Sequence, residues 1–188
     1  MADGERQRAV IAFAGRRIDA PDAKSVRFPL DAVALVRQRL AALFQEEQAK
    51  ALVCSAACGA DLIALEEAGR LGIRRRIILP FAAEKFRATS VTDRPGDWGG
   101  VFDRMIFDVG RNDDVVTLNA GEGDAAYSAA NEAIVREALA LCRADTPAAR
   151  PLAVIVNEGA SRGQGDATEE FRALAEAAGF ESRAVRTN

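Results

Sequence analysis

The feature that most constrains this chain is a repeated alternation. Short unbroken apolar runs are followed, again and again, by longer stretches with helical spacing. Residues 9–14 read AVIAFA, residues 51–54 ALVC, residues 76–80 RIILP and residues 152–156 LAVIV. None of them alternates apolar with polar, as a strand with one wet face would. Continuous apolar strands interleaved with helices specify an α/β fold with a mostly parallel sheet and helices on both faces. The 188 residues suit one domain, spanning 1–188.

The helical stretches have their own marks. One begins near Leu30 and places Leu30, Val33, Ala34, Leu40, Leu43 and Phe44 largely on one face. A second repeats Leu62, Leu65, Ala68 and Leu71 and is closed by Gly72. Shorter helices are predicted over 84–87 and 101–109, and a fourth strand over 113–118. A long helix follows, with Tyr127, Ala130, Ile134, Ala138 and Leu141 on one side. After a connection over 146–151 and the fifth strand, Asp166 and Glu169 have the spacing of a capping box. The helix they open ends near Gly179, and residues 182–186 read as a sixth, edge strand.

Composition narrows the chemistry. The net charge is -3, which argues against a general nucleic-acid binder. A small phosphate is still compatible, because backbone amides alone can hold one. There is no histidine, so His-based nucleophile activation, acid/base work and metal ligation are removed together. Cys54, Cys58 and Cys142 read as buried free thiols, and no metal site is expected. Residues 1–8 are polar and no run of eighteen apolar residues occurs, so neither a signal peptide nor a membrane span is expected. The default compartment is the cytoplasm.

Ligands of parallel sheets bind beyond the carboxyl ends of the strands, near the point where strand order reverses. That rule selects the loops holding Gly15, Arg16 and Arg17; Ser55, Ala56, Gly59, Ala60 and Asp61; Pro80 and Phe81; Asn119, Gly121 and Gly123; and Asn157, Glu158 and Gly159. Small residues in "SAACGAD" let a ligand approach the backbone, and the amides of the following helix start favour an anion. Arg16 and Arg17 are suited to phosphate. Each residue also has a purely structural role open to it. Gly59 and Ala60 could serve close strand-to-helix packing, Asp61 could serve the helix N-terminus, and the arginines could be solvated loop charges. Phe86, Trp98 and Tyr127 are suited either to flanking a base or to the core. Neither the dinucleotide fingerprint nor a Walker A lysine motif follows the first strand. No cofactor is therefore expected.

Four segments stand out together: "VIAFAGRRIDAP" with a later "RFP", "SAACGADLIALEEA", "IILPF", and "DW" followed by Phe102. Together they resemble the SLOG superfamily, which joins the DNA-processing protein A fold and the lonely-guy phosphoribohydrolases. The resemblance covers most of the chain and is strongest from Val10 to Phe107. It implies a three-layer Rossmann-like fold, a nucleotide or nucleotide-derived ligand, and a sensing role in bacterial signalling beside an effector domain. It also leaves room for a homodimer. In the hydrolase branch the motif Pro-Gly-Gly-x-Gly-Thr-x-x-Glu carries the activity. Here Asn119, Ala120, Asp124 and Tyr127 stand for its Pro, first Gly, Thr and Glu, while Gly121 and Gly123 remain. A second segment keeps Gly163, Gly165 and Glu169, with Asp166 for Thr. For a binding module, Ser55 and Gly59 would cradle phosphate, Asp61 would meet a hydroxyl, and Tyr127 or Phe86 would flank a base. For a phosphoribohydrolase, Asp61, Glu66 or Glu122 would supply the carboxylate. A degenerate scaffold for protein partners is the third reading.

Overall fold

The structure is a computed structural model and describes residues 7–145, 148–163 and 165–188. Most of the start read as polar, part of the 146–151 connection, and Gln164 between the last two loop glycines lie outside the described residues. Six strands form one parallel sheet: β1 (Ala9–Gly15), β2 (Ala49–Cys54), β3 (Arg74–Leu79), β4 (Val115–Thr117), β5 (Arg150–Asn157) and β6 (Glu181–Arg186). Their spatial order is β4-β3-β2-β1-β5-β6. Six α-helices connect them: α1 (Val33–Glu46), α2 (Ala60–Arg70), α3 (Ala83–Ser90), α4 (Trp98–Gly110), α5 (Asp124–Ala144) and α6 (Ala167–Ala177).

The apolar strands are explained by two cores, one on each face. Ile11 and Phe13 of β1 and Leu152, Val154 and Val156 of β5 pack with α1, α2 and α4. Val10 and Ala12 of β1 and Ala153 and Ile155 of β5 pack with α5 and α6. Successive side chains of one strand thus feed opposite cores, and a polar residue on either side would be buried. This is the three-layer Rossmann-like arrangement expected from the alternation.

Topology then fixes where a cleft can open. Parallel crossovers are nearly always right-handed. From β1 to β4 the sheet grows in one direction, which keeps α1, α2 and α4 on one face. The chain then returns past three strands through α5 to place β5 on the other side of β1, so α5 and α6 cover the second face. The order reverses at β1 and β5, whose paired register runs to Gly15 opposite Val156.

Some local expectations need correcting. Leu30 is 44% exposed and Ala34 is exposed, because the inward stripe of α1 is Val36, Leu40 and Phe44. Leu71 is also exposed, as it lies one residue past the end of α2. Helix α4 starts at Trp98 rather than 101, and α3 extends over 83–90. The fourth strand shortens to 115–117, since Asp113 has a positive φ of 56° and Asp114 turns to meet Arg74 and Arg76. Asp166 does cap α6 through the amides of Thr168 and Glu169, but Glu169 is paired with Arg172. The three thiols are buried and free. Among the described residues no helix is long and apolar enough to cross a membrane.

Candidate functional site

A cleft of about 500 Å³ opens at the carboxyl end of β1, at the point where strand order reverses. That volume lies within the usual range for small-molecule sites, roughly 300–1,000 Å³. Its floor is the end of β1 from Phe13 to Gly15, with Ser55 and Asp61 beyond β2. Tyr127, Asn131 and Ile134 of α5 and Phe86 and Ser90 of α3 form walls. The segment after β1 arches over one side, and residues 165–168 at the start of α6 close another.

Close packing builds the floor. A Cβ on Gly15 would sit 2.4 Å from the Ala60 Cβ and 2.8 Å from the Val156 Cβ. Gly59 has φ +93°, and a Cβ there would lie 2.9 Å from the Ile18 backbone nitrogen. Both glycines therefore let the start of α2 press against the chain leaving β1. Four of the amides around that start are already used. Ala57 N–H donates to Asp61 Oδ2, Cys58 N–H to the Ser90 carbonyl, Ala60 N–H to the Arg16 carbonyl and Leu62 N–H to the Ala57 carbonyl. An anion entering the cleft does not find these donors free.

Asp61 is 6% exposed and accepts that one amide bond. Burial pushes its carboxyl up to about 7, against the pull of the Ala57 amide and Arg17. It is thus a carboxyl that holds or gives up a proton near neutrality. Nearby, the hydroxyls of Ser90 and Tyr127 lie 2.9 Å apart, and the Tyr127 ring meets Phe81 edge-on. Asn131 Nδ2 donates to the Ala167 carbonyl, which ties α5 to α6.

Two polar atoms of the lining have no such partner. Ser55 Oγ and Arg94 Nε are buried from solvent without a hydrogen bond. Asp93 Oδ2 stands 3.5 Å from Arg94 Nε, too long for a good bond, and is engaged at 2.6 Å by Arg17. Buried orphan donors are uncommon and call for an explanation, an absent ligand among them.

Arg16 points elsewhere. Its side chain is nearly inaccessible and spans Glu158 (Nε to Oε2, 2.8 Å), Asp166 (2.6 and 2.9 Å) and the Ala160 carbonyl (2.8 Å). Burial works to raise the Asp166 carboxyl, but the Arg16 bond and the Arg162 amide outweigh it and hold it down at about 2. Arg27 adds a second partner to Glu158.

Of the residues expected at the site, Gly15, Arg17, Ser55, Asp61 and Tyr127 line the cleft together. Arg16, Ala56, Gly59, Ala60, Pro80 and Phe81 lie behind or beside it, as supports. Asn119, Gly121 and Gly123 follow β4, at the far edge of the sheet, and are not part of its lining. Glu66 bridges Arg37 and Arg104 outside the cleft, and Glu122 is paired with Lys85 in solvent. Sequence reasoning missed Arg94, Asn131 and Arg162 as lining residues, and read Asp166 as a cap and as the counterpart of the hydrolase motif's Thr. Arg94 sits in an irregular stretch with no periodicity to place it. Among the described residues no cluster of potential metal ligands occurs. No protein-family model matches the chain, and no curated protein matches it.

Proposed function

We propose that the chain is a binding module for a nucleotide or nucleotide-derived small molecule. The carrying observation is the pair of orphan donors, Ser55 Oγ and Arg94 Nε, in one cleft. Both are closed to solvent, so a rotation of each side chain toward the cleft would let a phosphate or sugar oxygen complete it. The half-buried Tyr127 offers ring surface for a base, backed by the buried Phe86, and Arg17 adds a cation held in place by Asp93 and the Thr89 carbonyl. The resemblance to the SLOG superfamily supports the same ligand class and adds the signalling setting. Isothermal titration with the 5'-monophosphates of the four ribonucleosides tests the reading. Saturable binding of at least one, weakened in Ser55→Ala, is expected. No binding by any of them at millimolar concentration sinks it.

One observation favours hydrolysis as a second reading. Of the three carboxylates weighed for catalysis, Asp61 lines the cleft while Glu66 and Glu122 do not. A carboxyl that is partly protonated near neutrality can give a proton to a departing base as water adds at the sugar carbon. The same incubations therefore carry an assay for ribose 5-phosphate. Release that disappears in Asp61→Asn supports hydrolysis, and binding without release rejects it for those substrates.

A further inference from the structure

The segment that arches over the cleft is fastened at its two ends. Ile18 and Phe28 are both buried in the core. Asp19 acts as a clasp between them. Its N–H donates to the Phe28 carbonyl, and its Oδ2 accepts the N–H groups of Arg27 and Phe28, each at 2.9 Å. Residues 20–26 thus form a strap whose ends meet, in the manner of an Ω-loop.

Nothing comparable holds the middle. Among the described residues, 20–26 make one hydrogen bond, from the Ala23 N–H to the Ala20 carbonyl, and it lies within the strap. Residues 21–26 are exposed, and Val26 is 75% exposed, so apolar packing does not fix the strap either. Yet Ala20, Ala23, Lys24 and Ser25 line the cleft. A segment with few buried contacts and a solvated backbone moves at little cost.

Charge singles out one residue of the strap. Of the other charged groups in the lining, Arg17 is bonded to Asp93, Arg27 to Glu158 and Asp166 to Arg16. Arg94 stands beside Asp93, Asp19 serves the clasp, and Asp61 accepts from the Ala57 amide. That leaves Lys24 and Arg162, whose side chains make no hydrogen bond or ion pair among the described residues. The root of Arg162 is fixed by its N–H bond to Asp166 Oδ2. Lys24 stands on the free middle of the strap. Its ammonium is a compact charge with three donors on a flexible stem, suited to following an oxyanion into the cleft.

Resting on the nucleotide-binding reading above, we propose that residues 20–26 close over the bound ligand and that Lys24 is the binding residue they carry, giving its ammonium to the ligand's phosphate. The Asp19 clasp stays bonded while the strap moves. The cost of ordering the strap is offset only by a ligand with an anionic group, so an uncharged nucleoside leaves it open.

Limited trypsin digestion of the intact chain, read by mass spectrometry, tests this. The probes are the 5'-monophosphates of the four ribonucleosides and the parent nucleosides, with calorimetry setting the saturating concentration. The free chain should be cut early after Lys24. A monophosphate that binds should slow that cut ~10-fold or more, since cleavage follows the population of the open form. Cutting after Arg111, past the end of α4 and outside the lining, should not change. The parent nucleoside should protect neither site. Lys24→Gln should weaken monophosphate binding ~10-fold, the scale of one charge-assisted hydrogen bond, and Lys24→Arg should keep most of it. Both variants should melt as the parent chain does, because the side chain is exposed and unpaired. Binding without slower cutting at Lys24 overturns the inference while nucleotide binding stands. So does equal slowing at Arg111, equal protection by the nucleoside, or full affinity in Lys24→Gln. Resistance at Lys24 in the free chain also overturns it, since the strap would then be held without a ligand. Absence of binding by all four monophosphates removes both readings together.

Discussion

Arg16 Nη1 lies 2.6 Å from Asp166 Oδ1, with both side chains almost wholly out of solvent, and so ties the residue after β1 to the cap of α6. The sequence places these residues 150 positions apart. The pair closes one wall of the cleft and spends Arg16 on structure.

Breaking that pair should be costly. Asp166→Ala leaves the buried guanidinium only Glu158 and the Ala160 carbonyl and removes a helix cap, and the expected loss is ~2–3 kcal/mol. Arg16→Met should also destabilise, while the double variant Arg16→Met with Asp166→Leu should cost less than the sum of the single changes. Urea denaturation of the four proteins measures this. A loss below ~1 kcal/mol in Asp166→Ala would mean that the pair behaves as an exposed one.

Asp61 should make stability fall as pH rises. Its carboxyl is raised from 3.8 to about 7 by burial, so the folded chain holds the proton more tightly than the unfolded chain. The resulting stabilisation is complete below about 3.8 and is lost as pH climbs through about 7. Asp166 acts in the opposite sense, with its contribution present above 3.8 and lost as pH falls through about 2. Melting temperature is therefore expected to decline between about pH 4 and 7, and Asp61→Asn should flatten that slope. An unchanged slope in the variant would assign it to another group.

Gly15→Ala should destabilise by overpacking. The new methyl would meet the Ala60 Cβ at 2.4 Å and the Val156 Cβ at 2.8 Å, with an expected cost of ~1–3 kcal/mol. Adding Ala60→Gly should recover part of it. No recovery in the melting curves would mean that Val156 sets the limit.

Ser55→Ala should separate stability from binding. It deletes a buried hydroxyl without a partner, so stability should hold or rise, by up to ~1 kcal/mol. Nucleotide affinity should drop ~10-fold if the hydroxyl meets the ligand. Glu66→Gln, on the outer face of α2, should leave affinity unchanged. Calorimetry on both variants gives the answer.

The fold was legible because it is written locally. Unbroken runs such as AVIAFA fit a strand between two cores, and helical spacing fits what covers them. The Ser55–Asp61 turn was legible for the same reason, since its small residues and acid stand together. Other parts depend on distant neighbours. Nothing near Arg16 or Arg17 tells which finds Glu158 and Asp166 and which reaches Asp93. Gly121 and Gly123 have the local look of a phosphate turn, but strand order puts them at the sheet's far edge. Strand order is a property of the whole chain, and no single loop encodes it.

The bonds that occupy the α2 turn have a thermodynamic consequence. Asp61 to Ala57, Cys58 to Ser90 and Ala60 to Arg16 hold the floor of the cleft before any guest arrives. A guest would lose little by ordering that backbone, so the entropic cost of capture falls on the long exposed side chains of the lining, Lys24 and Arg162. Recognition would then proceed as flexible cations closing on a floor already set, with the backbone around Gly59 unchanged between the empty and filled states.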